Sequence, residues 1–255
     1  MKKHLFVGLL ALSVWLPSWA GTYPLGSVNG SGESLNLEVP DGNPCGMVSM
    51  IDVSGAGRLL SHLTVTLNIS GGYNGDLYAY VRCNGKLVVL LNRVGADSDN
   101  AFGSSDTGLR NVTLSSSGGD VHWASAGGAV LTGNFQADGR QINPLPSSAG
   151  FNAKATVTLD GSFAGENPNG TWTLFIADLS GGGINTLEGW SLDITTVPSR
   201  FMGKGGETLD ANFADVSPNA IWTLIFAGLS KGANTTLAGN HWAPQQRRTM
   251  ALLSV

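Results

Sequence analysis

Between Asn167 and Trp190 the chain reads NPNGTWTLFIADLSGGGINTLEGW. Trp172, Leu174 and Ile176 alternate with Thr171, Thr173 and Phe175, the period of two by which successive side chains of a strand point to opposite faces. A glycine turn follows, and a second strand is predicted to open at Trp190, so the stretch reads as one β-hairpin. The same period recurs upstream. Leu63, Val65, Leu67 and Ile69 alternate with His62, Thr64, Thr66 and Asn68, which gives one buried face and one polar face. Asn84-Gly85, flanked by Tyr80-Val81-Arg82 and Lys86 to Leu91, is a hairpin signal, because Asn and Gly both tolerate the positive φ of a type I′ turn.

Further strands are predicted at Leu35 to Val39, as an edge strand ending in the turn Pro40-Asp41-Gly42, at Val48 to Val53 and at Asp76 to Val81. Weaker ones fall near Val112 to Leu114 and Val121 to Trp123. Ser125 to Phe151 reads as a long connection with one short strand near Gly133 to Gln136, after which Ala155, Val157 and Leu159 resume the alternation. No helical period interrupts the series beyond the first twenty residues. Strands at intervals of about 10 to 15 residues argue for an all-β fold, a sandwich or jelly roll.

Those first twenty residues carry Lys2 and Lys3, an apolar run from Leu5 to Leu16 and the sequence Ser18-Trp19-Ala20, with small residues where a signal peptidase needs them. They read as a cleaved secretory signal, so the expected address is secreted or cell envelope. An uncleaved anchor is the weaker alternative, since the run is about 12 residues against the roughly 20 of a membrane span. No later stretch is long enough to span. Without Lys2 and Lys3, 12 basic residues face 18 acidic ones, a balance that disfavours nucleic acid and anionic membrane surfaces as partners. Cys45 and Cys83 form an even pair, which in an oxidising compartment suggests a disulfide closing a loop of about 38 residues, worth roughly 3 to 4 kcal/mol in the chain-entropy picture. Two separate buried thiols are the other reading, and the spacing fits no zinc site.

Thr158 to Gly189 aligns without a gap to Thr208 to Gly239, 50 residues on, with 17 identities in 32 positions. The copy fails after Gly239, where Trp190-Ser191-Leu192 has only Asn240-His241-Trp242 as its counterpart. The tail therefore holds a partial repeat that lacks its second strand. Ile221 to Ala227 is expected either to add an edge strand or to belong to a poorly ordered tail.

Val39-Pro40-Asp41, Leu63 to Ile69, Asn74-Gly75-Asp76-Leu77, Leu90-Leu91-Asn92-Arg93-Val94-Gly95, Gly170-Thr171-Trp172-Thr173-Leu174 with Asp178, and Trp190-Ser191-Leu192 occur in that order. Together they resemble the P domain, or P/Homo B domain, which follows the subtilisin-like catalytic domain of proprotein convertases and occurs in many bacterial secreted proteins. The resemblance spans Ser34 to Thr196. It implies a jelly-roll β-sandwich that is not itself catalytic and that stabilises a protease, tuning its calcium and pH response. No protease sequence is present here, so any such partner is expected in trans. The chain departs from the family pattern at Gly71-Gly72, where many members carry a histidine, and at Leu114-Ser115-Ser116, where an acidic pair is usual. The domain organisation read from the sequence is thus a signal peptide at 1–20, a P-domain-like sandwich at 21–198 and an extension at 199–255.

No constellation of reactive side chains points to an enzyme. Gly228-Leu229-Ser230-Lys231-Gly232 matches G-x-S-x-G, but no helix start follows it, and its counterpart Asp178-Leu179-Ser180-Gly181-Gly182 marks it as a duplicated turn. His62, His122 and His241 read as solvated or packed histidines rather than as an oriented base. Asp97, Asp99 and Asp106 offer clustered oxygen donors of the kind calcium takes, without EF-hand spacing. Asp76 and Asp178 are expected to cap strand ends. Tyr78 and Tyr80 fall on one face of their strand and could stack on sugar rings, which makes a carbohydrate-binding surface the alternative to a protein-interaction module.

Overall fold

Two sheets face one another across the side chains that the period of two marks as apolar. The computed structural model describes residues 19–28, 31–145 and 149–197 and, beyond them, only the backbone of Ser199–Met202, Thr208–Ala211, Thr236–Leu237 and Met250–Ala251. In chain order the main elements are β1 (Trp19–Gly26), β2 (Leu37–Val39), β3 (Asn43–Val53), β4 (Leu59–Gly71), β5 (Leu77–Cys83), β6 (Lys86–Asn92), β7 (Leu109–Ser115), β8 (Gly119–Asp120), β9 (Leu131–Gln136), α1 (Leu159–Phe163), β10 (Gly170–Asp178) and β11 (Asn185–Val197). The larger sheet runs β1-β11-β4-β7-β9-β8, with β2 also paired to β11, and the smaller runs β3-β10-β5-β6. All pairings in the two sheets are antiparallel except β7 with β9 and β8 with β9. The fold is an all-β sandwich.

The core follows the alternation closely. Leu63, Val65, Leu67 and Ile69 of β4, Leu77, Ala79 and Val81 of β5, and Trp172, Leu174 and Ile176 of β10 are buried in one cluster with Leu187, Trp190, Leu192 and Ile194 of β11. Burial of such side chains contributes about 1.5 to 3 kcal/mol each. The two indoles also satisfy their N–H groups: Trp172 donates to the Pro168 carbonyl at 2.8 Å and Trp190 to the Ser49 hydroxyl at 2.9 Å. The Asn84-Gly85 turn joins β5 to β6 as predicted, with φ of 47° and 80° and Cys83 opposite Lys86. At Gly46, φ is 52° and an added Cβ would lie 2.2 Å from the Ile176 carbonyl oxygen, so only glycine fits where β3 bulges against β10.

Several expectations are corrected. Asn167 to Trp190 is not a hairpin: β10 pairs with β3 and β5, whereas β11 pairs with β1, β2 and β4. Period two reports that one face is buried but not which neighbour a strand takes, and here the glycine turn carries the chain from one sheet to the other. β11 opens at Asn185, with Trp190 in its interior. Val121–Trp123 is a 3-10 turn capped by the Asp120 carboxylate, which accepts the His122 N–H, and not a strand. Leu159 starts a short helix capped by the Thr158 hydroxyl, which accepts the Gly161 N–H at 3.1 Å, so Leu159 and Phe163 reach the core at helical spacing.

The expected disulfide is not formed. Cys45 is exposed on β3 and Cys83 is buried at the end of β5. β10 lies between those strands, and its register sets Met47 opposite Ile176 but Arg82 opposite Thr173, so the two cysteines sit toward opposite ends of β10. At about 3.3 Å per residue this separation far exceeds the roughly 7 Å between Cα atoms that a disulfide tolerates. Burial also pushes the Cys83 thiol up, away from the reactive thiolate form.

β1 begins at Trp19, and Trp19 and Ala20 pair with Thr196 and Thr195. Ile221 to Ala227, Trp222, Ser230 and His241 lie outside the described residues. Thr208–Ala211 pairs with Ser199–Met202 as a strand, whereas its counterpart in the first copy opens α1.

Candidate functional site

Tyr78 and Tyr80 stand on the outer face of the smaller sheet. The register there forms a row, Val48 of β3 beside Phe175 of β10 beside Tyr80 of β5, with Met50 and Thr173 in the next row. Tyr80 stacks on Phe175 with centroids 4.9 Å apart and planes 13° from parallel, and Tyr78 meets both rings edge-on at 6.2 and 6.3 Å. Standing side by side, the rings turn their faces toward one another rather than outward, and both tyrosines are half-buried. Burial and the neighbouring Tyr80 raise the Tyr78 hydroxyl above its ordinary value, so it stays neutral. The sequence did not single out the aliphatic half of this face: Val48 and Met50 are 53% and 55% exposed. Their outward positions follow from the alternation Ser49, Ile51 and Val53, which point inward.

The acidic residues of the loop after β6 do not converge. Asp97 accepts the N–H groups of Asp99 and Asn100, and Asp106 accepts those of Ala126 and Gly128, all from the backbone. Among the described residues no three His, Cys, Asp or Glu side chains are placed to hold a metal ion. Asp97, Asp99 and Asp106, the residues expected to offer oxygen donors to calcium, are not brought together into such a group, and the Asp97 and Asp106 carboxylates hold loop backbone. Asp178 does satisfy a turn, accepting the Ser180 N–H at 3.2 Å and the Asn185 amide at 2.8 Å.

Asp76 and Asp178 lie together at one end of the sandwich with their carboxyls held above the usual range. Burial is the main cause for both. At Asp76 the Ser180 hydrogen bond opposes it and the Asp178 charge adds to it; at Asp178 the Asn185 hydrogen bond opposes it and the Asp41 charge adds to it. A carboxyl raised in the folded state contributes stability that is full below the unfolded value of about 4 and is lost as pH rises through the raised value. Asp76→Asn is therefore expected to raise the thermal midpoint at about pH 7 by a few degrees, and by less at about pH 4, where more of the wild-type carboxyl is protonated. Circular dichroism melts at the two pH values check this, and an equal effect at both would count against it.

The histidines reveal two arrangements that the sequence does not show. His62 Nδ1 lies 2.7 Å from Asp160 and its Nε2 lies 3.3 Å from the Thr64 hydroxyl, the order of groups in a hydrolase triad. Thr64, however, sits in mid-ladder opposite Asp193, where the backbone is engaged in sheet pairing. Asp160 instead ties α1 to β4 by accepting the Leu63 N–H at 2.9 Å.

His122 is fully buried, with Nδ1 2.9 Å from Asp138 and Nε2 2.8 Å from the Ala96 carbonyl. A carbonyl only accepts, so Nε2 carries a proton, and the contact to Asp138 requires a second proton on the ring or on the carboxylate. Neither nitrogen is available to activate a nucleophile. Asp138 in turn meets Arg140, whose buried guanidinium donates to Asp120 at 2.6 and 3.1 Å and to the carbonyls of Phe151 and Ala153 at 3.1 and 2.6 Å. Burial alone would lower the Arg140 pKa, but its hydrogen bonds to Asp120 and the charge of Asp138 outweigh it and raise it. This network pins the strand-poor connection after β9 to the sandwich.

Similar to this chain are two structures of the serine protease of Aeromonas sobria, one of them in complex with its chaperone ORF2, at 13% identity and with TM-scores of 0.39 for the complex and 0.40 for the protease alone. Each match covers 71% of this chain and 27% of the other, so this chain spans about a quarter of the length of those proteases. At that level the likeness assigns neither activity nor partner. No family profile and no curated protein matches the chain. Among the described residues no helix is long and apolar enough to cross a membrane.

Proposed function

We propose that this protein is a secreted or cell-envelope β-sandwich without catalytic chemistry of its own, which binds another protein through the outer face of its smaller sheet. The P-domain resemblance of Ser34 to Thr196 makes a subtilisin-like protease, bound in trans, the partner to test. The observation that carries the reading is the apolar row itself. Val48 and Met50 stand more than half exposed beside Phe175, Tyr80 and Tyr78, aromatic and Met side chains of the kind enriched at interface cores. The same geometry favours a protein over a sugar here, since the rings stack on each other and the aliphatic side chains beside them offer no hydrogen bonds to hydroxyls.

The test incubates the full chain with a subtilisin-like protease that lacks its own P domain. The expected result is a complex on size-exclusion chromatography and slower thermal inactivation of the protease. Met50→Asp is expected to weaken that complex about tenfold or more, as for a buried interface anchor. Absence of a complex overturns the protease partner. A complex unaffected by Met50→Asp overturns the assignment of the face.

A further inference from the structure

A second surface, independent of the apolar face, has the build of a ligand site. The loop after β6 and the turn after Trp123 enclose a cleft of about 300 Å³, at the small end of the range for ligand pockets. Trp123 supplies the one large side chain of its lining, beside Ser104, Ser105, Ser125, Asn100 and glycines. Its indole is 48% exposed although it is held on two sides. The buried His122 ring meets it edge-on at 4.6 Å, and the Arg140 guanidinium lies 5.8 Å from its centroid. His122 and Arg140, both buried, pack against the indole, and its exposed part borders the cleft.

The walls are fixed before any ligand arrives. Both carboxylate oxygens of Asp106 accept backbone N–H groups, from Ala126 at 2.5 Å and Gly128 at 2.6 Å, which holds the turn. The Asn100 amide donates to the Gly103 carbonyl at 2.8 Å and holds the opposite loop. The Ser104 and Ser125 hydroxyls accept the N–H groups of Asp106 and Gly127, an arrangement that leaves each hydroxyl proton to donate. Side chains at Gly127 and Gly128 would project into open space, so the rim carries no obstruction there.

Charge narrows the ligand class. Asp106 is the one ionisable side chain in the lining, and it is 1% exposed with both oxygens engaged by amides. Neither an anion nor a cation therefore finds an opposite charge. A flat aromatic face set among hydroxyls, an amide and bare backbone suits a neutral ligand that is apolar on one side and hydroxylated at its edge, because C–H groups pack on the indole while hydroxyls meet the rim. We infer that the Trp123 cleft binds a neutral saccharide, as a mono- or disaccharide unit, with the sugar ring packed on the exposed part of the Trp123 indole.

The experiment uses the full chain labelled with 5-fluorotryptophan, in which the Trp123 resonance is assigned from Trp123→Phe. Glucose, galactose, mannose, N-acetylglucosamine and their disaccharides are titrated in turn, with phosphate and acetate as charged controls. The expected result is a saturable shift of the Trp123 signal by at least one sugar in the millimolar range and by neither control. By calorimetry, Trp123→Ala should weaken that sugar's binding about tenfold or more while Trp123→Phe stays within a few-fold, on the scale at which about 1.4 kcal/mol is a factor of ten. Thermal melts of both variants should match the wild type. A Tyr78→Ala/Tyr80→Ala variant should bind the sugar unchanged, which separates this site from the protein-binding face. A Trp123 signal unmoved by every sugar overturns the inference, as does full sugar affinity in Trp123→Ala.

Discussion

Replacing Arg140 by methionine should destabilise the fold by about 3 to 5 kcal/mol, the scale on which a buried ion pair responds to loss of one partner. The guanidinium contacts Asp120, Asp138 and the carbonyls of Phe151 and Ala153, so its removal strands a fully buried carboxylate and two carbonyls together. For a domain of this size the midpoint of thermal unfolding should fall by about 10 °C. Arg140→Lys should recover little of this, because a point charge cannot span the partners that a planar fork of donors reaches. Combining Arg140→Met with Asp138→Asn and Asp120→Asn should recover part of the loss, since the unpaired charges disappear as well. Melts followed by circular dichroism provide the measurement. A shift of only one or two degrees in Arg140→Met would show that the network is not the clamp its geometry describes.

Trp172→Ala should have an effect of similar size, about 3 to 5 kcal/mol, through a different cause. The indole is buried near the start of β10, with Phe163 of α1 at 4.9 Å and its N–H donating to the Pro168 carbonyl. Truncation opens a cavity where α1 leans on the sandwich and frees a buried carbonyl. Trp172→Phe keeps most of the volume and loses the hydrogen bond, so its expected loss is about 1 to 3 kcal/mol. Urea denaturation separates the two, with a lower midpoint at unchanged slope in both cases. Equal losses in the two variants would mean that the hydrogen bond, rather than the packed volume, dominates at this position.

How far the sequence speaks depends on how local the controlling interaction is. Asn84-Gly85 was legible because a two-residue turn needs only its own backbone conformations. The inward side chains of β4 and β10 were legible because a half-buried strand must alternate. The partners of β10 and β11 were not, since alternation is the same whichever sheet a strand joins. α1 was missed because Ala155, Val157 and Leu159 mimic a strand, although the Thr158 cap and the spacing of Leu159 to Phe163 carried the signal. The network of Asp120, His122, Asp138 and Arg140 has no motif spacing, being assembled by a 3-10 turn and a connection that the parallel pairing of β7 and β9 sets side by side. The Trp123 cleft escaped for the same reason: its two walls lie about twenty residues apart and have no periodicity to betray them.

The placement of β10 and β11 also sets an order of events in time. Gly21 pairs with Ile194, and Met50 with Thr173, so the last two strands of the sandwich are interior to both sheets. Until residues 170–197 have been synthesised, β1 has no neighbour to join and β3 and β5 have nothing between them. Contacts that close loops this long form slowly. The finished sandwich therefore waits on residues 170–197, whichever of the earlier strand pairs, such as β5 with β6, form before them.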